Sequence, residues 1–291
     1  MTCRVAYICG KQGVSVLPAL AAICEKKDLM ILTSAAAYGE IDVQVYNVCT
    51  IISPEHLRQS LENFRPDLVL VMTYLSKLDP SLSELTRFGM VNVHPSLLPK
   101  YRGGSPVFYA LKNGETQVGV TYHFISEGFD QGAIIRQESI RVSATDCASS
   151  VWMKIIKKII VTLPSVVACR HEWSSLAVEQ NELEATTVGF PSLEERSFSS
   201  LLTIAENLSL IRACGKSSGA RLILEGYEFF VTNAMAPYIQ PCGSDSPKNW
   251  RIVDNILWFK ALDGWLCISD AYINTSRVTS WSFLSDGEKL S

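Results

Sequence analysis

The chain has 291 residues, enough for two domains with cores of their own, and at 47% hydrophobic and 19% charged it does not have a disordered composition. Its 26 Lys plus Arg against 29 Asp plus Glu give no general pull toward nucleic acid or membrane. Nine cysteines without close pairs or matching histidine spacing argue against a zinc site and a disulfide framework, and so for reduced cysteines in a cytoplasmic protein.

The chain starts on an apolar run too short to span a bilayer and followed by no cleavage signature, so neither secretion nor a membrane partner is expected. Short β-rich runs lie at Val5 to Gly10, Leu29 to Ser34, Val43 to Cys49, Leu68 to Thr73 and Met90 to His94. Helix-like stretches separate several of them, Leu17 to Lys26 and Pro54 to Asn63, the second with Ser53 as N-cap and Pro54 in the first turn. This alternation predicts an α/β fold: a Rossmann-like, mostly parallel sheet with helices on both faces and ligands beyond the carboxyl ends of the strands. Gly10-Lys11-Gln12-Gly13 begins like a dinucleotide fingerprint, but the third glycine is missing and Ser15 follows. It reads as a simple βα turn, which disfavours a nicotinamide enzyme.

Beyond Met90 come a helix from Pro106 to Lys112, strands from Gly119 to Ile125 and Ala133 to Ile140, and a long helix from Thr145 to about Arg170. Val151, Ile155, Ile159, Leu163 and Val166 recur on helical spacing and give that helix a face to pack on the sheet, leaving Lys154, Lys157 and Lys158 as its solvated side. His171 to Ser200 is polar and irregular, a linker between a domain over residues 1–185 and a second over 200–291. The second domain reads as a helix, Leu201 to Cys214, followed by strands at Arg221 to Leu224, Tyr227 to Thr232, Asn255 to Phe259 and Gly264 to Ile268. Such short strands predict a small β-barrel-like domain.

The densest chemistry lies at the fifth strand, Val91-Asn92-Val93-His94-Pro95-Ser96-Leu97-Leu98-Pro99-Lys100-Tyr101-Arg102-Gly103-Gly104. Asn92 and His94 are two apart, so in a strand both side chains leave the same face near its carboxyl end. Thirty-six positions after His94 stands Asp130, in the glycine-bracketed turn Gly128-Phe129-Asp130-Gln131-Gly132 before the next strand, placed to return to the same edge.

The Asn-x-His-x-Ser-Leu-Leu-Pro-x-Tyr-Arg-Gly run with the later Asp-x-Gly resembles the formyltransferases that use N10-formyltetrahydrofolate, loosely over the first 170 or so residues. That family includes methionyl-tRNA formyltransferases, nucleotide-sugar N-formyltransferases and the hydrolase-like domain of formyltetrahydrofolate dehydrogenase. The resemblance implies Asn92, His94 and Asp130 as catalytic residues. It implies a folate site lined by Ser96, Leu97, Leu98 and Pro99 and by Ser126, Glu127, Gly128 and Phe129, with Tyr74 to Leu78 as a wall for the pterin. Gly104 stands where some relatives have a second arginine contacting folate, so that contact is absent or replaced.

The chemistry asks for these residue types independently. An amine attacking a formyl carbon produces a tetrahedral centre with an anionic oxygen and a surplus proton on nitrogen. The Asn92 amide is suited to the oxyanion, a service typically worth about 10²–10³ in kcat. His94 is suited to the proton because imidazole titrates near neutrality, and Asp130 is expected to orient it and raise its pKa. No metal is required. His56, His123 and His171 are expected to be structural or surface residues, and Ser105 lacks a nucleophile-elbow pattern.

The acceptor is expected to be a small amine, such as a nucleotide-linked amino sugar. A tRNA enzyme of this family inserts a basic loop after the second strand, whereas Ala35 to Asp42 contains no Lys or Arg. Glu195 to Ser291 holds nine basic residues against ten acidic. Methionyl-tRNA as acceptor, hydrolysis of the formyl donor and an inactive binding or regulatory protein are the alternatives, and a homodimer is compatible with all of them.

Overall fold

The computed structural model describes residues 3–237, 248–274, 276–281 and 284; the rest of the expected 200–291 domain lies outside the described residues. The chain forms two compact units. The first holds the chain up to Pro106, then Gln117–Arg141 and Met153–Gly189; the second holds Val107–Thr116, Val142–Trp152 and the chain from Phe190 onward.

The first unit is built on β1 (Val5–Cys9), β2 (Leu29–Thr33), β3 (Asn47–Thr50), β4 (Leu68–Met72) and β5 (Met90–His94). The two-residue β6 (Arg102–Gly103) lies apart from them, and β7 (Gln117–Phe124) and β8 (Ile134–Arg141) complete the set. Seven strands make one sheet in the order β3-β2-β1-β4-β5-β7-β8. Neighbours from β3 to β5 run parallel, and β7 then pairs antiparallel with both β5 and β8. The mostly parallel sheet follows from β1 and β4, whose continuous apolar runs are buried at every position, as strands covered on both faces must be.

Two helices show how those faces are covered. In α3 (Pro54–Phe64) the Ser53 side chain accepts the His56 N–H at 3.1 Å and Pro54 opens the first turn, as the sequence predicts. Its Leu57, Leu61 and Phe64 pack with Ala6, Ile8, Val69, Val71 and Met90. On the opposite face, Tyr122 pairs with Val93 across the sheet and its hydroxyl lies 2.8 Å from that of Thr162 in α5 (Ala148–Ala168). On α5, Lys157 is exposed, while Lys158 is half-buried and pairs with Glu138 at 3.6 Å.

Some boundaries differ from expectation. The expected strand from Val43 becomes a turn in which Asp42 accepts the Gln44 N–H at its side chain and the Val45 and Tyr46 N–H groups at its carbonyl. This local capping outweighs the β propensity of Val43 and Val45, both about half exposed, and β3 starts at Asn47. The helix expected from Leu17 to Lys26 is one turn of α1 (Leu17–Ala21) behind a 3-10 segment, Lys11–Val16. At the Gly10 turn a Cβ would come within 2.1 Å of the Thr73 carbonyl oxygen, so glycine is needed where β1 and β4 end together.

The stretch 171–200 is not an irregular linker. It contains α6 (Trp173–Leu176) and β9 (Thr187–Val188), which pairs in parallel with β6.

In the second unit, α7 (Ile204–Ser218) starts on a reciprocal capping box between Thr203 and Glu206, and its regular course ends where Gly215 takes φ +71°. The strands are β10 (Ala220–Leu224), β11 (Tyr227–Met235), β12 (Trp250–Val253), β13 (Ile256–Ala261), β14 (Gly264–Ile273) and β15 (Ser276–Arg277). They form an antiparallel curled sheet, β10-β11-β14-β13-β12, with β15 on β14. The sequence reading finds four of these six and misses the two-residue β15 and β12, where Arg251 breaks the apolar pattern; that guanidinium is buried over the Trp265 ring, 4.2 Å from its centroid. Among the described residues no helix is long and apolar enough to cross a membrane.

Candidate active site

β5 and β7 build the site. In their antiparallel register Asn92 lies opposite His123 and His94 opposite Thr121, and opposed residues share a face. That face is the one covered by α3, since Asn92 is also registered with Val71 on β4. The turn after β7 then brings Asp130 back over the pair. Gly132 allows this closure, because a Cβ there would come within 1.9 Å of the Phe124 carbonyl oxygen.

The groups meet at hydrogen-bonding distances. Asn92 Nδ2 donates to Asp130 Oδ1 at 2.9 Å and stands 3.2 Å from His123 Nε2. The Gly103 N–H donates to Asp130 Oδ2 at 2.8 Å; His94 Nδ1 lies 3.4 Å from that oxygen and His123 Nε2 3.4 Å from Oδ1. The outer ring nitrogens face carbonyls, His94 Nε2 at 2.9 Å from Tyr101 and His123 Nδ1 at 2.8 Å from Phe124. Carbonyls only accept, so both of those nitrogens carry hydrogen, which leaves His94 Nδ1 and His123 Nε2 as the ring positions open to accept. The second Asn92 amide hydrogen then goes to His123, and Nδ2 has no donor to spare.

Burial sets the charges. It pushes the His94 imidazole below its ordinary value; the Asp130 carboxylate and the Tyr101 carbonyl pull upward without overcoming it, and His123 adds to the lowering. Asp130 raises this pKa as expected, but the net shift is downward, because desolvating a cation outweighs one neighbouring carboxylate. Burial alone would raise Asp130, but His94, His123 and the Gly103 N–H together hold its carboxyl well below the usual carboxylate range. A neutral imidazole thus sits beside a fixed negative charge. Tyr101 and Asp130, which flank it, both adopt left-handed backbone at φ 60° and 56°, a strain of about 1–3 kcal/mol each that the surrounding bonds must hold.

Asn92, His94 and Asp130 come together as the sequence reading expects, and His123 joins them. A signal for His123 is visible in the strand itself: Thr121 and His123 are polar at alternate positions of an otherwise apolar run. The other candidates divide. Leu97, Pro99, Ser126 and Gly128 are half-buried, Glu127 is exposed and the Phe129 ring is 55% exposed. Ser96 is turned inward, its hydroxyl donating to the Lys100 carbonyl at 2.7 Å, and Leu98 is buried with its carbonyl accepting from Gln137 at 2.6 Å. The Gly104 N–H is taken by the Val188 carbonyl at 2.9 Å. Leu78 belongs to the core under α3, and Tyr74 packs against it. Among the described residues no group of three or more His, Cys, Asp or Glu is arranged to hold a metal ion.

Residues 25–167, which contain this cluster, match the formyl transferase family model. This stretch is a formyl transferase domain. Over 105 residues the chain is 42% identical to GDP-perosamine N-formyltransferase of Brucella melitensis, an alignment covering 36% of this chain and 40% of that protein. Over 185 residues it is 31% identical to methionyl-tRNA formyltransferase of Latilactobacillus sakei, covering 60% and 57% respectively. The chain thus spans about two fifths to under three fifths of the length of these relatives. Its fold matches that of an N-formyltransferase from Helicobacter canadensis, crystallised with folinic acid and dTDP-3-aminofucose, at a TM-score of 0.70 and 16% identity over 94% of this chain and all of that one.

Proposed function

We propose that the chain transfers the formyl group of N10-formyltetrahydrofolate to the primary amine of a nucleotide-linked amino sugar. The observation that carries this reading is the closure of Asp130 onto Asn92 and His94 at the carboxyl end of β5, within a formyl transferase domain. The likeness to the perosamine enzyme favours a sugar acceptor, as does the lack of Lys and Arg between Ala35 and Asp42.

The residues present suit the folate donor. The exposed Phe129 ring and the half-buried Leu97 and Pro99 offer apolar surface, suited to a flat heterocycle, in the segments next to a fixed carboxylate, and they would hold it with the 126–129 backbone. When bound, the donor supplies an activated formyl carbon. His94, neutral near pH 7, takes the amine's surplus proton on Nδ1, where it faces Asp130 Oδ2. Asp130 stays ionised and stabilises that imidazolium. Asn92 stabilises an anionic oxygen only after one amide hydrogen leaves His123 Nε2, so rotation of the amide precedes that service.

Mass spectrometry of nucleotide-linked amino sugars incubated with the protein and N10-formyltetrahydrofolate tests the reading through gain of one formyl group. Release of formate without a formylated amine marks a hydrolase instead. The methionyl-tRNA formyltransferase likeness supports a second reading, in which efficient formylation of methionyl-tRNA falls steeply with salt as counterions are released.

A further inference from the structure

In the segment after α6, Gln180 contacts the turn that carries Asp130. Gln180 is buried, and its amide is used completely. Oε1 accepts from Arg102 Nε at 3.0 Å and Nη2 at 2.8 Å, while Nε2 donates to the carbonyls of Asp130 and Gly132, both at 2.8 Å. Arg102, also buried, is held on its other side by both carboxylate oxygens of Glu182. One amide therefore joins the acidic turn to β6, and β6 supplies the Gly103 N–H that fixes Asp130 Oδ2.

These contacts close a ring. Asp130 is held at its carboxylate by Gly103 and at its own carbonyl by Gln180, while Arg102, the residue before Gly103, is held by Gln180. The carbonyl that Gln180 binds belongs to the residue with left-handed backbone, where an unsupported turn would relax and carry the carboxylate away from His94. Only a side chain with an acceptor and two donors can serve both ends; a carboxylate could keep Arg102 but not donate to two carbonyls.

We infer that Gln180 is a positioning residue for the site, setting the Asp130 carboxylate against His94 by locking the acidic turn to the Arg102–Gly103 strand. This rests on the formyl-transfer reading for its catalytic consequence, but the placement of Asp130 is measurable without it.

The groups facing His94 are Asp130, His123 and the Tyr101 carbonyl, so its imidazole titration, followed by NMR, reports where Asp130 stands. In Gln180→Met, of similar volume but with no hydrogen bonds, the His94 midpoint should fall further below wild type as the carboxylate drifts away. kcat should drop about 10–100-fold with KM for donor and acceptor within about threefold, the pattern of lost positioning. Gln180→Glu keeps the Arg102 contact but sets a carboxylate oxygen against the two carbonyls in place of the donor, so through kcat it tests the same point if the methionine variant does not fold; it should also lose kcat. A folded variant with wild-type His94 titration overturns the inference, whatever its activity, and so does a rise in KM alone. If the wild type formylates no amine yet the His94 midpoint still moves in Gln180→Met, the positioning role stands and the formyl-transfer reading fails.

Discussion

In the first unit, the buried charge of Asp130 is surrounded by groups that can gain, lose or share a proton: two imidazoles, an amide and a backbone N–H. In the second, the buried guanidinium of Arg251 lies over the indole of Trp265, in a sheet whose interior is otherwise built from residues such as Phe229, Leu257 and Leu266. Both arrangements keep a charge out of water, but only the first lets the balance of protons change without breaking the structure, because arginine does not titrate in the accessible range. Burial of charge therefore does not mark an active site by itself; burial among titratable partners at the end of a parallel strand does.

The largest test of this contrast is His94→Ala, expected to lower formyl transfer by about 10²–10⁴ with the fold retained, and Asp130→Asn should approach it. Steady-state kinetics beside circular dichroism reads both; a His94→Ala protein with near wild-type kcat would refute the proton role. In the second unit the expected loss is of stability: Phe229→Ala removes a fully buried ring and should cost about 3–5 kcal/mol in denaturant unfolding. Asn92→Ala should lower kcat by about 10²–10³, the loss of one oxyanion donor. A smaller effect would mean that the amide stays bound to Asp130 and His123 throughout.

The proton balance also has a direction in pH. Folded His94 titrates below its ordinary 6.5, so the unfolded chain takes up this proton first and stability falls as pH drops from 6.5 toward the folded value. Asp130, depressed when folded, adds stability that is present above the ordinary carboxylate range and lost as pH falls through its folded value. Chemical denaturation between pH 7 and 5 should show this decline, and a His94→Ala protein should show a shallower one. Transfer activity should fall on the acid side with a midpoint below 6.5, as His94 becomes protonated; a midpoint above 6.5 would contradict a neutral buried base. The smallest expected effect is Thr203→Ala, which removes the α7 cap and should cost about 1 kcal/mol in the same unfolding experiment.

The parallel strands β1, β2, β4 and β5, the capped start of α3 and the pairing of Asn92 with His94 on one face were all legible in the sequence, because each depends on neighbours a few residues away. The capping of Asp42 that displaced β3 was local too, but weaker as a signal than the valines beside it. What only the tertiary structure decided were long-range matters. His123 enters the site through a register between β5 and β7, Gln180 through a contact spanning 78 residues to Arg102, and β12 is a strand through its pairing with β13, with Arg251 laid over the Trp265 ring. The lowered pKa of His94 belongs with these. A sequence places a carboxylate and an imidazole in the same list of residues, but how far water is excluded from them depends on every element packed around them, and that exclusion sets the charge.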